Sequence, residues 1–142
     1  MNLFNMLKKK EQALAYLTLQ YSANLKNHLD FNDLCHSLRL AMLEQGIFPK
    51  AGVRVKAHSI EFYSVADGHA NNGFIDMVLR IGTGRSAEMK EKTGKVLMSR
   101  LELKVEKLLR TGFLALALEI VEIDPEMSWK INPIHKRLSN NQ

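Results

Sequence analysis

Residues 46–86 read GIFPKAGVRVKAHSIEFYSVADGHANNGFIDMVLRIGTGRS. They hold two strand patterns, the turns between them and two arginines set beside glycines. In the first pattern Val53, Val55 and Ala57 alternate with Arg54, Lys56 and His58, so one face packs and the other is wet or functional. In the second, Ile75, Met77, Leu79 and Ile81 alternate with Phe74, Asp76, Val78 and Arg80. Asp67-Gly68 and Asn71-Asn72-Gly73 supply turn chemistry before it. Gly82, Gly84 and Arg85 close the second strand, and Ser86 opens a helix. Glycine lets a backbone turn sharply and lets another group come close. An arginine at such a turn offers a planar fork of donors to a carboxylate. Arg54 and Arg85 are therefore the expected binding groups of a small acid with more than one carboxylate.

Outward from this stretch the same grammar recurs. Upstream, Leu17, Leu19 and Tyr21 alternate with Tyr16, Thr18 and Gln20, which predicts a strand from Ala15 to Tyr21 with one buried face. Asp30 reads as an N-cap, and Phe31, Leu34, Leu38 and Met42 step at helical spacing until Gly46. Downstream, Leu97, Leu101, Val105 and Leu108 form the stripe of one longer helix that Gly112 ends. Leu114, Leu116, Leu118 and Ile120 then line one side of a last strand. The order is strand–helix–strand, strand–helix–strand. Each half favours two parallel strands joined by a right-handed crossover.

At 142 residues the chain is one ordinary domain. Residues 1–14 read as an extension and 15–142 as the domain proper. No apolar run approaches the roughly 20 residues that span a bilayer. The lysines at positions 8–10 follow the first apolar residues rather than precede them, which is not the layout of a secretory signal. Cys35 is the single cysteine, so an internal disulfide is excluded and a reducing, cytoplasmic setting is expected. The net charge of +5 is spread along the chain without an RNA-binding or zinc-finger pattern, so no nucleic-acid partner is expected and an anionic small substrate is. The five histidines lack metal-ligand spacing, and no metal or other cofactor is expected. GTGRS lacks the Walker lysine and glycine spacing of a phosphate loop. His58 shares a face with Arg54 and is retained as a substrate-binding candidate. Trp129 stands in a polar tail, where an aromatic packs either on its own subunit or on a neighbour.

The runs GIFPKAGVR, VADG, RIGTGRS, LALEIVEI and DPEMSWKINPIHKRL, in this order and spacing, resemble the 5-carboxymethyl-2-hydroxymuconate Δ-isomerase family of the tautomerase superfamily. The likeness runs from about Ala15 to Leu138. It implies an α+β fold of two fused βαβ units, a four-stranded mixed sheet backed by two helices, and a homotrimer. Such enzymes move a proton along a conjugated dienol acid of aromatic-compound catabolism, turning it into its oxo isomer without a cofactor. Their base is the amine of an N-terminal proline. Arginines matching Arg54 and Arg85 bind and polarise the substrate. Here Ala15 occupies the proline position behind fourteen further residues. Its nitrogen is then an amide without useful basicity. Three expectations follow: a substitute base, with His58 or Tyr16 the nearest by pattern; a chain begun at Leu14 that is processed to a free Ala15 amine; or a non-catalytic protein that keeps only the small-carboxylate site.

Overall fold

In the computed structural model, residues 14–140 are described. The expectations for residues 1–13 therefore lie outside the described residues; Leu14, given to the extension, is buried against the domain. Four strands alternate with helices: β1 (Ala15–Ser22), α1 (Phe31–Glu44), β2 (Val53–Ile60), β3 (Gly73–Gly82), α2 (Ala87–Lys104), α3 (Glu106–Leu109), β4 (Leu114–Ile123) and α4 (Pro133–Asn140). The sheet order is β2-β1-β3-β4. β1 runs parallel to β2 and antiparallel to β3, while β3 runs parallel to β4. The two parallel pairs are the βαβ units that the alternation predicts, and their fusion into one mixed four-stranded sheet is what the family resemblance implies.

Because side chains alternate across a strand, each strand sends one set of residues to the helices and the other to the opposite face. Leu17, Leu19, Ile75, Met77, Leu79 and Ile81 are almost wholly buried on the helix side. There they join Leu34, Leu38 and Met42 of α1 and Leu97 and Leu101 of α2 in one core. Tyr21 stacks on Phe31 at 3.6 Å and fastens the end of β1 to the start of α1. Among the described residues no helix lies over the other face. Gln20, Arg54, Lys56, His58, Asp76 and Arg80 are exposed on it.

Both predicted caps form. The Asp30 side chain accepts from the Asp33 N–H at 3.0 Å, and Ser86 Oγ accepts from the Met89 N–H at 3.1 Å. The turn chemistry is also as read: Asp67 Oδ1 accepts from the His69 N–H and from Asn72 Nδ2, and Gly68 adopts a φ of 81°. The second helix departs from its stripe. Val105 has φ −115° and ψ 18°, which breaks the helical run into α2 and the single turn α3. Val105 is still buried, so the apolar spacing reported packing correctly while the backbone changed course beneath it. The tail holds an unforeseen helix, α4. Pro133 starts it with a preset φ, and Asn132 Oδ1 accepts from the Ile134 N–H at 3.2 Å. Asn132 Nδ2 donates to Ala51 O at 2.9 Å, which ties the tail to the turn before β2.

Candidate active site at the end of the sheet

The starts of β1 and β2 and the ends of β3 and β4 lie side by side. Ala15 pairs with Val53 on one flank and with Ile81 on the other, and Gly82 pairs with Ile123. Residues 124–132 lead from the end of β4 to Ala51 beside β2, so the tail crosses this end of the sheet. Ala15 has no exposed surface. The preceding carbonyl, Leu14 O, accepts from the Gly82 N–H at 3.2 Å, which holds the entry to β1 against the end of β3. With Leu14 attached, the Ala15 nitrogen is an amide and cannot serve as a base.

Arg54 follows Val53 and projects from the opposite face to Ala15. Its Nη2 donates to the Tyr16 hydroxyl at 3.0 Å, and its guanidinium lies 4.3 Å from the centroid of that ring. Register explains the meeting, since Tyr16 and Arg54 are direct partners in the parallel ladder. Sequence parity placed each residue on an alternating face but did not say which strands would be neighbours, so this pair was missed as a unit. Tyr16 is the group that parity and adjacency to Ala15 had marked.

Arg85 sits differently. It is 8% exposed. Nη1 donates to Gly82 O and Nη2 to Ile47 O, each at 3.2 Å, and the guanidinium lies 4.8 Å from the Phe48 ring centroid. Burial pushes its pKa below the ordinary arginine value. Gly84, at φ 98°, provides the left-handed turn that brings Arg85 back onto this loop. Arg85 thus fastens the end of β3 to the turn before β2 and places a positive charge two hydrogen bonds from the backbone at Leu14. Ile47 and Phe48 carry no polar signal in the sequence, which is why their part in this cradle was not read.

His58 pairs with Gln20, four residues beyond Arg54 on the same face. That is about 13 Å along the strand at 3.3 Å per residue. The structure therefore gathers Ala15, Arg54, Arg85 and Tyr16 at one end of the sheet and leaves His58 farther along it. Among the described residues no group of three His, Cys, Asp or Glu side chains is placed to hold a metal ion. Nor is any helix there long and apolar enough to cross a membrane.

The family model for 5-carboxymethyl-2-hydroxymuconate isomerase matches residues 15–138. The chain belongs to this isomerase family. Over 122 residues it is 30% identical to the 5-carboxymethyl-2-hydroxymuconate Delta-isomerase of Escherichia coli, covering 86% of this chain and 97% of that one. The crystal structure of a 5-carboxymethyl-2-hydroxymuconate isomerase from Deinococcus radiodurans R1 superposes with a TM-score of 0.83 at 33% identity, covering 89% of this chain and 96% of the other. A second crystal structure, of a 5-carboxymethyl-2-hydroxymuconate delta-isomerase, gives a TM-score of 0.82 at 27% identity over 96% and 97% of the two chains. The tautomerase-like α+β fold expected from the resemblance is the fold of this family member.

Proposed function

We propose that this isomerase-family chain acts on an unsaturated 2-hydroxy polycarboxylic acid of aromatic-compound catabolism, shifting a proton along its conjugated system to give the oxo isomer. The observation that carries the reading is the Arg54–Tyr16 pair, a solvent-facing cation and a hydroxyl held 3.0 Å apart beside the position of the family's base. Arg54 takes a carboxylate of the substrate. Arg85 adds positive charge from beneath the turn and favours the developing enolate oxygen. In the chain with Leu14 attached, Tyr16 is the proton-transfer group. Its hydroxyl accepts from Arg54, so it keeps its own hydrogen to return to carbon while it receives the enol proton. His58 stands too far along β2 to share that step and would contact only the distal part of a long substrate. The active assembly is a homotrimer, and the uncovered sheet face is the surface it would close over; light scattering of the purified chain would read the mass.

Loss of the dienol's ultraviolet absorbance, followed with the full chain, tests this. Arg54→Ala and Tyr16→Phe should each slow the reaction by about a hundred-fold or more, in the range of general acid–base catalysis. His58→Ala should leave it nearly unchanged. A second reading, a carboxylate-binding protein without chemistry, is favoured by one observation: the residue at the base position is buried and its nitrogen is acylated. Absorbance loss no faster than in buffer, combined with a dicarboxylate that raises the melting temperature, would select that reading.

A further inference from the structure

A cleft opens at the other end of β1 from Ala15, about 23 Å away at 3.3 Å per residue. Three segments meet there: the turn after β1, the loop before β3 and the turn before β4. Its volume of about 310 Å³ is at the small end of the range for ligand pockets. Leu25, Leu108 and Phe113 supply apolar wall, and His28, Asn71 and Thr111 supply polar groups. Leu25 and Leu108 pack on the helix-side core, so the cleft is walled by that core rather than by the uncovered sheet face. The three segments are tied to one another. Asn24 Nδ2 donates to Asn72 O at 2.9 Å, and the Gly73 N–H donates to Phe113 O at 2.8 Å. His69 stacks on Phe113 with ring centroids 4.5 Å apart, and its Nδ1 accepts from the Asn71 N–H at 3.0 Å. Thr111 Oγ1 accepts from the Phe113 N–H and donates to Leu108 O. The walls are thus held in place before a ligand arrives, which lowers the ordering cost of binding. The side chains of Asn71 and His28, by contrast, bond to no other group among the described residues.

We infer that this cleft is a binding site for a small uncharged planar ring bearing an amide or hydroxyl group. Among the described residues no Lys, Arg, Asp or Glu lines it, so a charged ligand would give up hydration without gaining an ionic partner. A flat ring instead covers Leu25 and Leu108 and packs edge-on or offset against Phe113, a contact favourable beyond the area it buries. The Asn71 amide can both donate and accept, and the His28 imidazole adds a further polar contact, so a ring amide or hydroxyl meets the two side chains that the fold leaves unengaged. The volume admits one ring with its substituents. The site is separate from the Arg54–Tyr16 pair and does not depend on the isomerase reading.

Titration of the full chain with 4-hydroxybenzamide, followed through backbone amide chemical shifts, tests it. The shifts should gather at Asn24, Asn71, Thr111 and Phe113 and leave Tyr16 and Arg54 unmoved, with a Kd of about 1 mM or tighter. Cyclohexanecarboxamide, which keeps the amide and loses the planar ring, should bind about three-fold more weakly or worse. Asn71→Ala should weaken 4-hydroxybenzamide about three-fold or more. Ala70→Trp, at a lining position whose larger side chain fills the cleft, should abolish its binding. Both positions are exposed and neither side chain holds the loops, so the melting temperature should stay put. If Ala70→Trp does melt early, Asn71→Ala alone decides. Shifts centred on Arg54 and Tyr16, or none at all, overturn the inference. So does an affinity within about two-fold of the unaltered value in either folded variant, and so does equal affinity for the two amides.

Discussion

Replacing Arg85 should damage the fold as well as the site. Its guanidinium is 8% exposed and donates to two backbone carbonyls, Gly82 O and Ile47 O, across two loops. A hydrogen bond from a charged donor contributes about 1.5–3 kcal/mol, and a buried carbonyl stripped of its donor loses a comparable amount. Allowing for water reaching Ile47 O, Arg85→Met should cost about 3–5 kcal/mol, against total stabilities that run about 5–15 kcal/mol. Methionine keeps an apolar stem beside the Phe48 ring, so the loss isolates the donors. Arg85→Ala should cost a further 1 kcal/mol or so through the lost packing. With a urea m-value near 2 kcal/mol/M, the Met variant's midpoint falls by roughly 1.5–2.5 M. Equilibrium unfolding followed by circular dichroism reads this directly. A cost below about 1 kcal/mol for Arg85→Met would refute the view that Arg85 clamps these loops. A turnover assay of the same variant then needs folded protein, and kcat separated from KM, before a carboxylate contact is assigned to Arg85.

The remaining predictions concern the rest of the chain. A Cβ at Gly73 would stand 2.9 Å from Ser22 Oγ and 3.2 Å from Asn24 Oδ1, and Ser22 Oγ is already engaged with Asn24 and the Phe74 N–H, so Gly73→Ala should destabilise by about 1–3 kcal/mol in urea unfolding. The carboxyls of Asp33, Glu61 and Asp67 are held below the ordinary range, chiefly by hydrogen bonds from Lys104, Lys26 and Asn72 respectively. Their folded values lie below the unfolded ones, so their stabilisation is present above about pH 4 and is lost as the pH falls further. Added salt should shrink the part due to Asp33 and Glu61 more than that of Asp67, whose leading donors, Asn72 Nδ2 and the His69 N–H, are neutral; acid titrations of the urea midpoint at two ionic strengths check this. Burial raises the Cys35 thiol above its ordinary value, so iodoacetamide at pH 8 should label it several-fold more slowly than free cysteine.

Alternation and helical spacing depend only on which face of each element is apolar, so the strands, the two βαβ units and the parity of Arg54, Tyr16 and Arg80 were legible in the residues alone, as were both caps from Asp30 and Ser86. The family, too, was legible from runs such as GIFPKAGVR and RIGTGRS. Parity does not carry register. It took the folded chain to place β1 between β2 and β3, and hence to set two arginines 26 positions apart in sequence on either side of the same tyrosine. The tertiary structure also decided the different placements of the two arginines first singled out. Arg54 leaves a strand toward solvent, whereas Arg85 is turned back by Gly84 onto carbonyls supplied by a distant loop. The helix break at Val105 was hidden for a related reason: a buried side chain keeps its place in the apolar stripe whatever its own φ and ψ. Local pattern records what must be buried, and the contacts between distant segments record what each polar group then faces.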